Sequence, residues 1–394
     1  MAQNVELIQT IVWLIFLGLV FVNFLFPDLQ IRLQLIQFLS KIETIRSSIR
    51  KIKKRCEEEV KKTIVKKDKI DREKLSEFIK NMMEYHIIHP VSLDPSGIVE
   101  KIEHVLNISE TDIKKRALLF YKDYDKRDNF VTSIVAMGEI HKIDKFITHY
   151  IELIKKTKSV PLAFQLSTLM PLLQEISKSL YSISISSINN LPIGDSIGPL
   201  IALNLIKESK AKTIEILKKE ECVLLKGKLN NKKIYILKAR GFGSRVGRIG
   251  RAIEYTIKKY KIKNLITIDA AQKLEGEKSG AIAEGVGVAI GGIGIDSVFV
   301  ENIALKNKVN LYSLLIKMSI LEALGPLNKT IYNSAKDVIE KIKLKIKNTE
   351  GSFLIVGVGN TCGIGNIAKD LKESEKKIKK SFKEFEKLRK LTFS

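Results

Sequence analysis

Two aspartates stand where packing alone does not call for a carboxylate. Asp195 lies in NNLPIGDSIGPL, residues 189–200, a loop between an expected strand and an expected helix. Asp269 closes the apolar run LITID, residues 265–269. An acid at the carboxyl end of a buried strand points to function. An acid beside the positive end of a helix dipole is held in place there, although Asp195 has a second use as the helix's N-cap. Two carboxyls brought close cannot both ionise cheaply, so one keeps a proton while the other activates water. That chemistry suits a half-chain without imidazole. All five histidines (His86, His89, His104, His141 and His149) precede residue 150. Glu275, Glu277 and Glu284 follow Asp269 and are candidates to assist or to hold a cation.

A second constellation is ARGFGSRVGRIGR, residues 239–251, after an expected strand. Gly241, Gly243 and Gly247 form GxGxxxG, a loosened relative of the dinucleotide fingerprint, and Arg245 is one of four arginines that suit phosphate. Asp269 lies 26 residues beyond Gly243, near the usual separation of a ribose-binding carboxylate. A nucleotide- or dinucleotide-binding module is therefore the alternative to a hydrolase, and a scaffold without chemistry is the third reading. GVGNTCGIGN, residues 357–366, repeats the strand, glycine loop and helix arrangement and offers backbone N–H groups to an anion. Cys362 there is either a thiol activated by a helix terminus or a small packing residue. AEGVGVAIGGIG, residues 283–294, suits close backbone approach to a ligand or another chain. His86 and His89 have i, i+3 spacing but no third ligand nearby, so no metal is assigned. Nor is a cofactor.

The elements that must position these residues follow from periodicity. A long amphipathic helix is expected from residue 29 to about 67, and helices at 101–106, 111–124 and 130–156 give a helical middle region. After residue 180 glycine becomes frequent. Strands are expected at 181–188, 222–229, 233–238, 264–268, 297–303 and 352–358, with helices at 197–208, 246–259, 312–324, 329–347 and 367–391. Such alternation predicts a C-terminal, mainly parallel α/β sandwich with its loops at the carboxyl ends of the strands. The expected division is 1–28 anchor, 29–70 juxtamembrane helix, 71–180 helical domain and 181–394 α/β domain.

The anchor is the reading of residues 7–26, which hold no charged side chain and are closed by Pro27 and Asp28. Twenty helical residues reach about 30 Å, the thickness of a bilayer core. No basic n-region or small-residue cleavage site makes the stretch a signal peptide. Arg32, Lys41, Arg46 and the run from Arg50 to Arg55 follow it. The positive-inside rule then predicts a single-pass cell-membrane protein, N-terminus outside and body cytoplasmic, with the basic run near anionic lipid. The 68 Lys and Arg against 44 Asp and Glu, net +24, favour anionic partners; the alternative is a chain-wide Lys and Ile bias. No nucleic-acid partner is indicated, and a homo-oligomer is considered. Three scattered cysteines make neither a disulfide framework nor a zinc site.

With HPVSLDPSG, GDSIGP, IDAAQKLEGEKSG, EGVGVAIGG and GVGNTCGIGN, the chain resembles an uncharacterised archaeal membrane-anchored family known only as a domain of unknown function. More distantly, SISISSINNLPIGDSIGPLIA, NLITIDAA and LYSLLIKMS resemble the superfamily of germination proteases, YyaC-type spore proteins and hydrogenase maturation proteases. That resemblance implies a phosphorylase/hydrolase-like α/β fold and an endopeptidase with Asp195 and Asp269 as its catalytic pair. The maturation proteases place an acidic metal ligand directly after the first position and also use a histidine. This chain has Ser196 there and a histidine-free second half.

Overall fold

The computed structural model describes residues 11–18, 27–85, 97–291 and 295–392. The chain forms two compact units, one of Met1–Ile52 with His141–Ser177 and the other of Lys53–Ile140 with Lys178–Ser394. Among the described residues six helices come first: α1 (11–18), α2 (Pro27–Asp68), α3 (Arg72–Met83), α4 (Ile98–Ala117), α5 (Tyr124–Thr157) and α6 (Val160–Ile188). In the first unit Ile42, Ile49, Ile147, Ile151 and Ile154 are buried at helical spacing. Asp144 accepts from the guanidinium of Arg50 at 3.0 Å there. In the second unit Phe130 is fully buried and stacks on Phe78 with centroids 5.5 Å apart.

The anchor expected over residues 7–26 is corrected. Among the described residues no helix is long and apolar enough to cross a membrane. Of that stretch only α1 belongs to the described residues; at about 1.5 Å per residue it reaches ~12 Å, against ~30 Å of hydrocarbon. The remainder of the stretch lies outside them. The membrane partner, the lipid contact, the single-pass orientation and the cytoplasmic placement all rested on that span and are withdrawn with it. His86, His89, the turn over residues 89–96 and Gly292–Gly294 of the small-residue segment also lie outside the described residues.

Among the described residues seven strands follow: β1 (Lys212–Leu217), β2 (Cys222–Leu229), β3 (Lys232–Ala239), β4 (Asn264–Gln272), β5 (Ile282–Val286), β6 (Asn310–Met318) and β7 (Phe353–Gly357). They build one sheet of order β1-β2-β3-β7-β4-β6-β5. The helices among and after them are α7 (Ile197–Glu208), α8 (Ile249–Tyr260), α9 (Ile295–Asn307), α10 (Ile320–Leu324), α11 (Lys329–Asn348) and α12 (Leu371–Thr392). Alternate residues of a strand face opposite sides. On β7, Phe353 and Ile355 join a core with α7, α11 and α12, while Leu354 and Val356 join one with α8 and α9. Each such fully buried side chain contributes about 1.5–3 kcal/mol.

The mainly parallel sheet is likewise corrected to a mixed one. β3, β7, β4 and β6 are parallel, but β2 adds antiparallel to β3, β1 antiparallel to β2, and β5 antiparallel to β6. Asn230 and Asn231 join β2 to β3 with both φ positive, the conformation of a two-residue hairpin turn that asparagine tolerates. Residues 181–188 are the end of α6, not a strand. Their serine hydroxyls bond back along the helix, Ser182 to Lys178 O at 2.9 Å and Ser186 to Ser182 O at 2.7 Å. The expected strand at 297–303 lies in α9, which buries Val300, Ile303 and Ala304 against α8. The expected helix at 312–324 is mostly β6, whose nine residues all pair with β4. Ladder pairing on both sides decided that segment against its local pattern.

Candidate active site

Asp195 and Asp269 reach one cleft from different parts of the chain. Asp195 sits in a single 3-10 turn, Gly194–Ser196, that leads directly into α7. The turn does not use the Asp195 side chain as the cap of α7. Its Oδ2 instead accepts the backbone N–H of Asn360, in the loop after β7, at 2.8 Å. α7 can lie this close to the strand ends because residue 198 is glycine; a Cβ there would collide with the carbonyl oxygens of Val358 and Ile268. Gly359, at φ +122°, backs onto the Asp195 carbonyl in the same way.

Asp269 is the sixth residue of β4 and is 3 % exposed. Its Oδ1 accepts from Ala270 N–H at 2.8 Å and its Oδ2 from Gly291 N–H at 2.7 Å. Gly291 belongs to the glycine segment after β5, which is also held by Ala289 N–H donating to Thr267 Oγ1 at 3.1 Å. The small residues of that segment thus serve the carboxylate with backbone donors. The two aspartates line a cleft of 330 Å³ together with Asp296, Arg248, Ile290 and Val358. Two larger clefts in the same unit, of 460 and 720 Å³, do not include the aspartate pair.

Burial raises both carboxyls above the ordinary range. For Asp195 the Asn360 N–H opposes the rise. Asp269 is pushed up to about 8, by burial first and the neighbouring Asp195 charge second, against two backbone donors. The pair titrates as a unit and retains a proton at neutral pH. Asp195 Oδ1 accepts no hydrogen bond from the described residues, and the side chain keeps some exposed surface. One oxygen of the pair therefore remains free for water or substrate.

The glycine-rich loop plays a different part. Arg245 is 3 % exposed and ion-paired to Asp125 at 2.6 Å and to Asp128, while its Nη1 donates to the Arg240 carbonyl. The guanidinium also stands 3.9 Å from the Tyr124 ring centroid. Gly241 and Gly243 back onto Asp125 and Arg245, and only Gly247 of the three glycines reaches the aspartate cleft. The loop is thus fastened to α5 by protein carboxylates, and each guanidinium nitrogen of Arg245 already donates within the protein. Glu277 pairs with Lys317 at 3.5 Å and Glu284 with Lys341 at 2.5 Å; neither lines the cleft, nor does the exposed Glu275. Cys362 is fully buried, with its thiol pushed up to about 12 by that burial, so it packs and does not react.

Two contributors to the cleft were not foreseen. Asp296, in the first turn of α9, accepts Gly250 N–H at 2.9 Å and is raised by burial. Its signal was an acid directly after the glycine run, obscured by reading α9 as a strand. α4 brings Glu103, Leu106, Asn107 and Glu110 to the cleft; Glu103 pairs with Arg251 at 2.9 Å and Asn107 accepts from Arg248 at 3.1 Å. Nothing local marks those residues. Lys238, outside the cleft lining, is fully buried and donates to Ala239 O at 2.7 Å and Asn366 Oδ1 at 3.3 Å; burial lowers it to about 7. Among the described residues no group of three His, Cys, Asp or Glu side chains is placed to hold a metal.

No curated protein matches the chain. Two family models do. Residues 12–187 match the N-terminal domain of a protein of unknown function, DUF1512, and residues 193–365 match the C-terminal domain of unknown function of the same family. The boundary between the matches falls directly before the turn that carries Asp195. Carrying both domains in order, the chain belongs to the DUF1512 family.

Proposed function

We propose that this protein is a hydrolase, endopeptidase-like in its chemistry, with Asp195 and Asp269 as its acid–base pair. The observation that carries the reading is the pair itself. Two carboxyls, one from the turn before α7 and one from β4, line one cleft at the carboxyl ends of the strands, both raised, with one oxygen free. The likeness of GDSIGP and ITIDA to the germination-protease motifs supports the same two residues. In the 181–394 body they would act as follows. Asp195 Oδ1 accepts a proton from water as the water oxygen bonds to the carbonyl carbon. Protonated Asp269 donates to the carbonyl oxygen, stabilising the charge that develops there. The C–N bond then breaks as Asp195 returns its proton to the amine nitrogen and Asp269 recovers its own. No imidazole is needed at any step.

Incubating the full chain with a mixed peptide library, with products read by mass spectrometry between pH 5 and 8, tests the reading. Cleavage should vanish in both Asp195→Asn and Asp269→Asn while the circular dichroism spectrum is unchanged. Turnover that survives either change, or its absence throughout the library, refutes the assignment.

A further inference from the structure

The sheet has two edges, and they are treated differently. β1 carries Lys212 and Glu215 and a break in register between Thr213 and Glu215, the kind of feature that stops a strand edge from pairing with another chain. β5 lacks that break, and its one charged residue, Glu284, is already paired with Lys341. It is five residues without Lys, Pro or bulge, and it pairs in unbroken register with β6 from Ile282–Ile316 to Val286–Tyr312. Val286 is 89 % exposed, and nothing approaches the Cβ position of Gly285.

The hydrogen-bond phase of β5 says which groups face outward. Ala281 O accepts from Lys317 N at 2.8 Å and Gly287 N donates to Leu311 O at 3.4 Å. In an antiparallel ladder the residues bonded to the partner alternate with residues facing away. The odd positions from 281 to 287 therefore face β6, and Ile282, Glu284 and Val286 direct their N–H and C=O groups off the sheet. Among the described residues none of these groups has a hydrogen-bond partner beyond the strand. A row of alternating donors and acceptors at this spacing matches extended polypeptide main chain.

We propose that β5 is the docking strand for an extended, acidic polypeptide segment, which adds to the sheet as an eighth strand. This deepens and rests on the hydrolase reading, for it makes the bound polypeptide the substrate. Position supports the link. Ile282 pairs with Ile316, and Ile316 with Ala270, the residue after Asp269. An added strand would lie three strand spacings, about 14 Å, from β4. About four or five extended residues bridge that gap at ~3.3 Å each, so the docked segment is separated from the bond that reaches the aspartates.

Charge gives the segment its sign. A pocket of 280 Å³ beside β5 is lined by Glu284, Val286, Tyr312, Lys341 and Lys345. Glu284 is already paired with Lys341. Lys345 lies 3.6 Å from the Tyr312 ring centroid and, among the described residues, has no carboxylate partner; the whole chain carries a net +24. An acidic side chain projecting from the docked segment satisfies that ammonium.

The probe is a fluorescein-labelled peptide of alternating glutamate and valine, read by anisotropy with the full-length protein. The expected result is binding that weakens at least tenfold in Glu284→Pro, which removes one outward N–H that β6 does not use. The same probe N-methylated at alternate residues should lose binding to the unaltered protein, which decides the matter even if the proline variant fails to fold. Asp195→Asn and Asp269→Asn should bind the probe as the unaltered protein does. Probe binding together with no cleavage anywhere in the peptide library therefore sinks the hydrolase and leaves the docking strand standing. Failure of the probe to bind, equal binding of the methylated probe, or a dimer that Glu284→Pro converts to monomer in sedimentation overturns the docking proposal.

Discussion

The pH dependence of stability provides the most direct physical test of the aspartate pair. A carboxyl that titrates near 8 in the fold, against 3.8 for the ordinary group, stays protonated in the native state while the unfolded chain ionises. The unfolded state then holds fewer protons, so stability contributed by Asp269 is greatest below about pH 4. It falls as pH rises to about 8 and is level beyond that. Each pH unit in that window is worth about 1.4 kcal/mol in the limit. Sharing of the proton with Asp195 and relaxation around a buried charge reduce the effect, and about 2–3 kcal/mol between pH 5 and 8 is expected. Asp269→Asn removes the titration and keeps the shape. Its amide oxygen can still accept one backbone N–H, from Gly291 or Ala270, and loss of the other costs about 1 kcal/mol at every pH. The variant should therefore be close to or below the unaltered protein in stability at pH 5 and above it by pH 8. Urea unfolding at pH 5, 6, 7 and 8, with m-values compared, reads this difference directly. A stability difference that does not vary with pH would refute the raised carboxyl and with it the shared proton.

Other consequences follow from the packing around the cleft. Arg245→Met leaves Asp128, 1 % exposed, without its hydrogen-bonded cation and with only the Lys114 ammonium 3.9 Å away; a loss of about 3 kcal/mol is expected in urea unfolding. Gly198→Ala drives α7 away from the Val358 and Ile268 carbonyls. It should cost about 1–3 kcal/mol and lower turnover by displacing Asp195, while Gly285→Ala, with open space at its Cβ position, stays within about 0.5 kcal/mol. Lys238, lowered to about 7, releases its proton in the fold before it does in the unfolded chain, so its contribution to stability grows from about pH 7 towards 10.5. Lys238→Met should therefore compare best with the unaltered protein at pH 6–7, its relative stability falling by about 2 kcal/mol by pH 9; a constant difference in thermal or urea unfolding would contradict this.

How much of this was legible in the residues depended on the range of the forces involved. Buried central strands and amphipathic helices were readable because their patterns are local. β2, β3, β4 and β7 lie where the apolar runs end at turn residues, and α7 and α11 begin at their expected positions. The two aspartates stood out for a similar reason, since an acid at the end of an apolar run conflicts with its neighbours. Segments whose local pattern was ambiguous were decided by partners far away in sequence. The serine–isoleucine alternation of 181–188 became helix by continuing α6, and β6 became strand because β4 and β5 flank it. The arginines of the glycine loop read as a phosphate site, because nothing within that loop announces Asp125 and Asp128 more than a hundred residues earlier. Composition and periodicity thus determined which residue types could form the elements and which acids were out of place. Only tertiary structure could surround Asp195 and Asp269 with low-dielectric protein, bring one within reach of the other's charge, and assign backbone N–H groups from Asn360, Ala270 and Gly291 to hold them. A carboxyl's pKa is set by what lies within a few ångströms in space, and sequence distance does not report that.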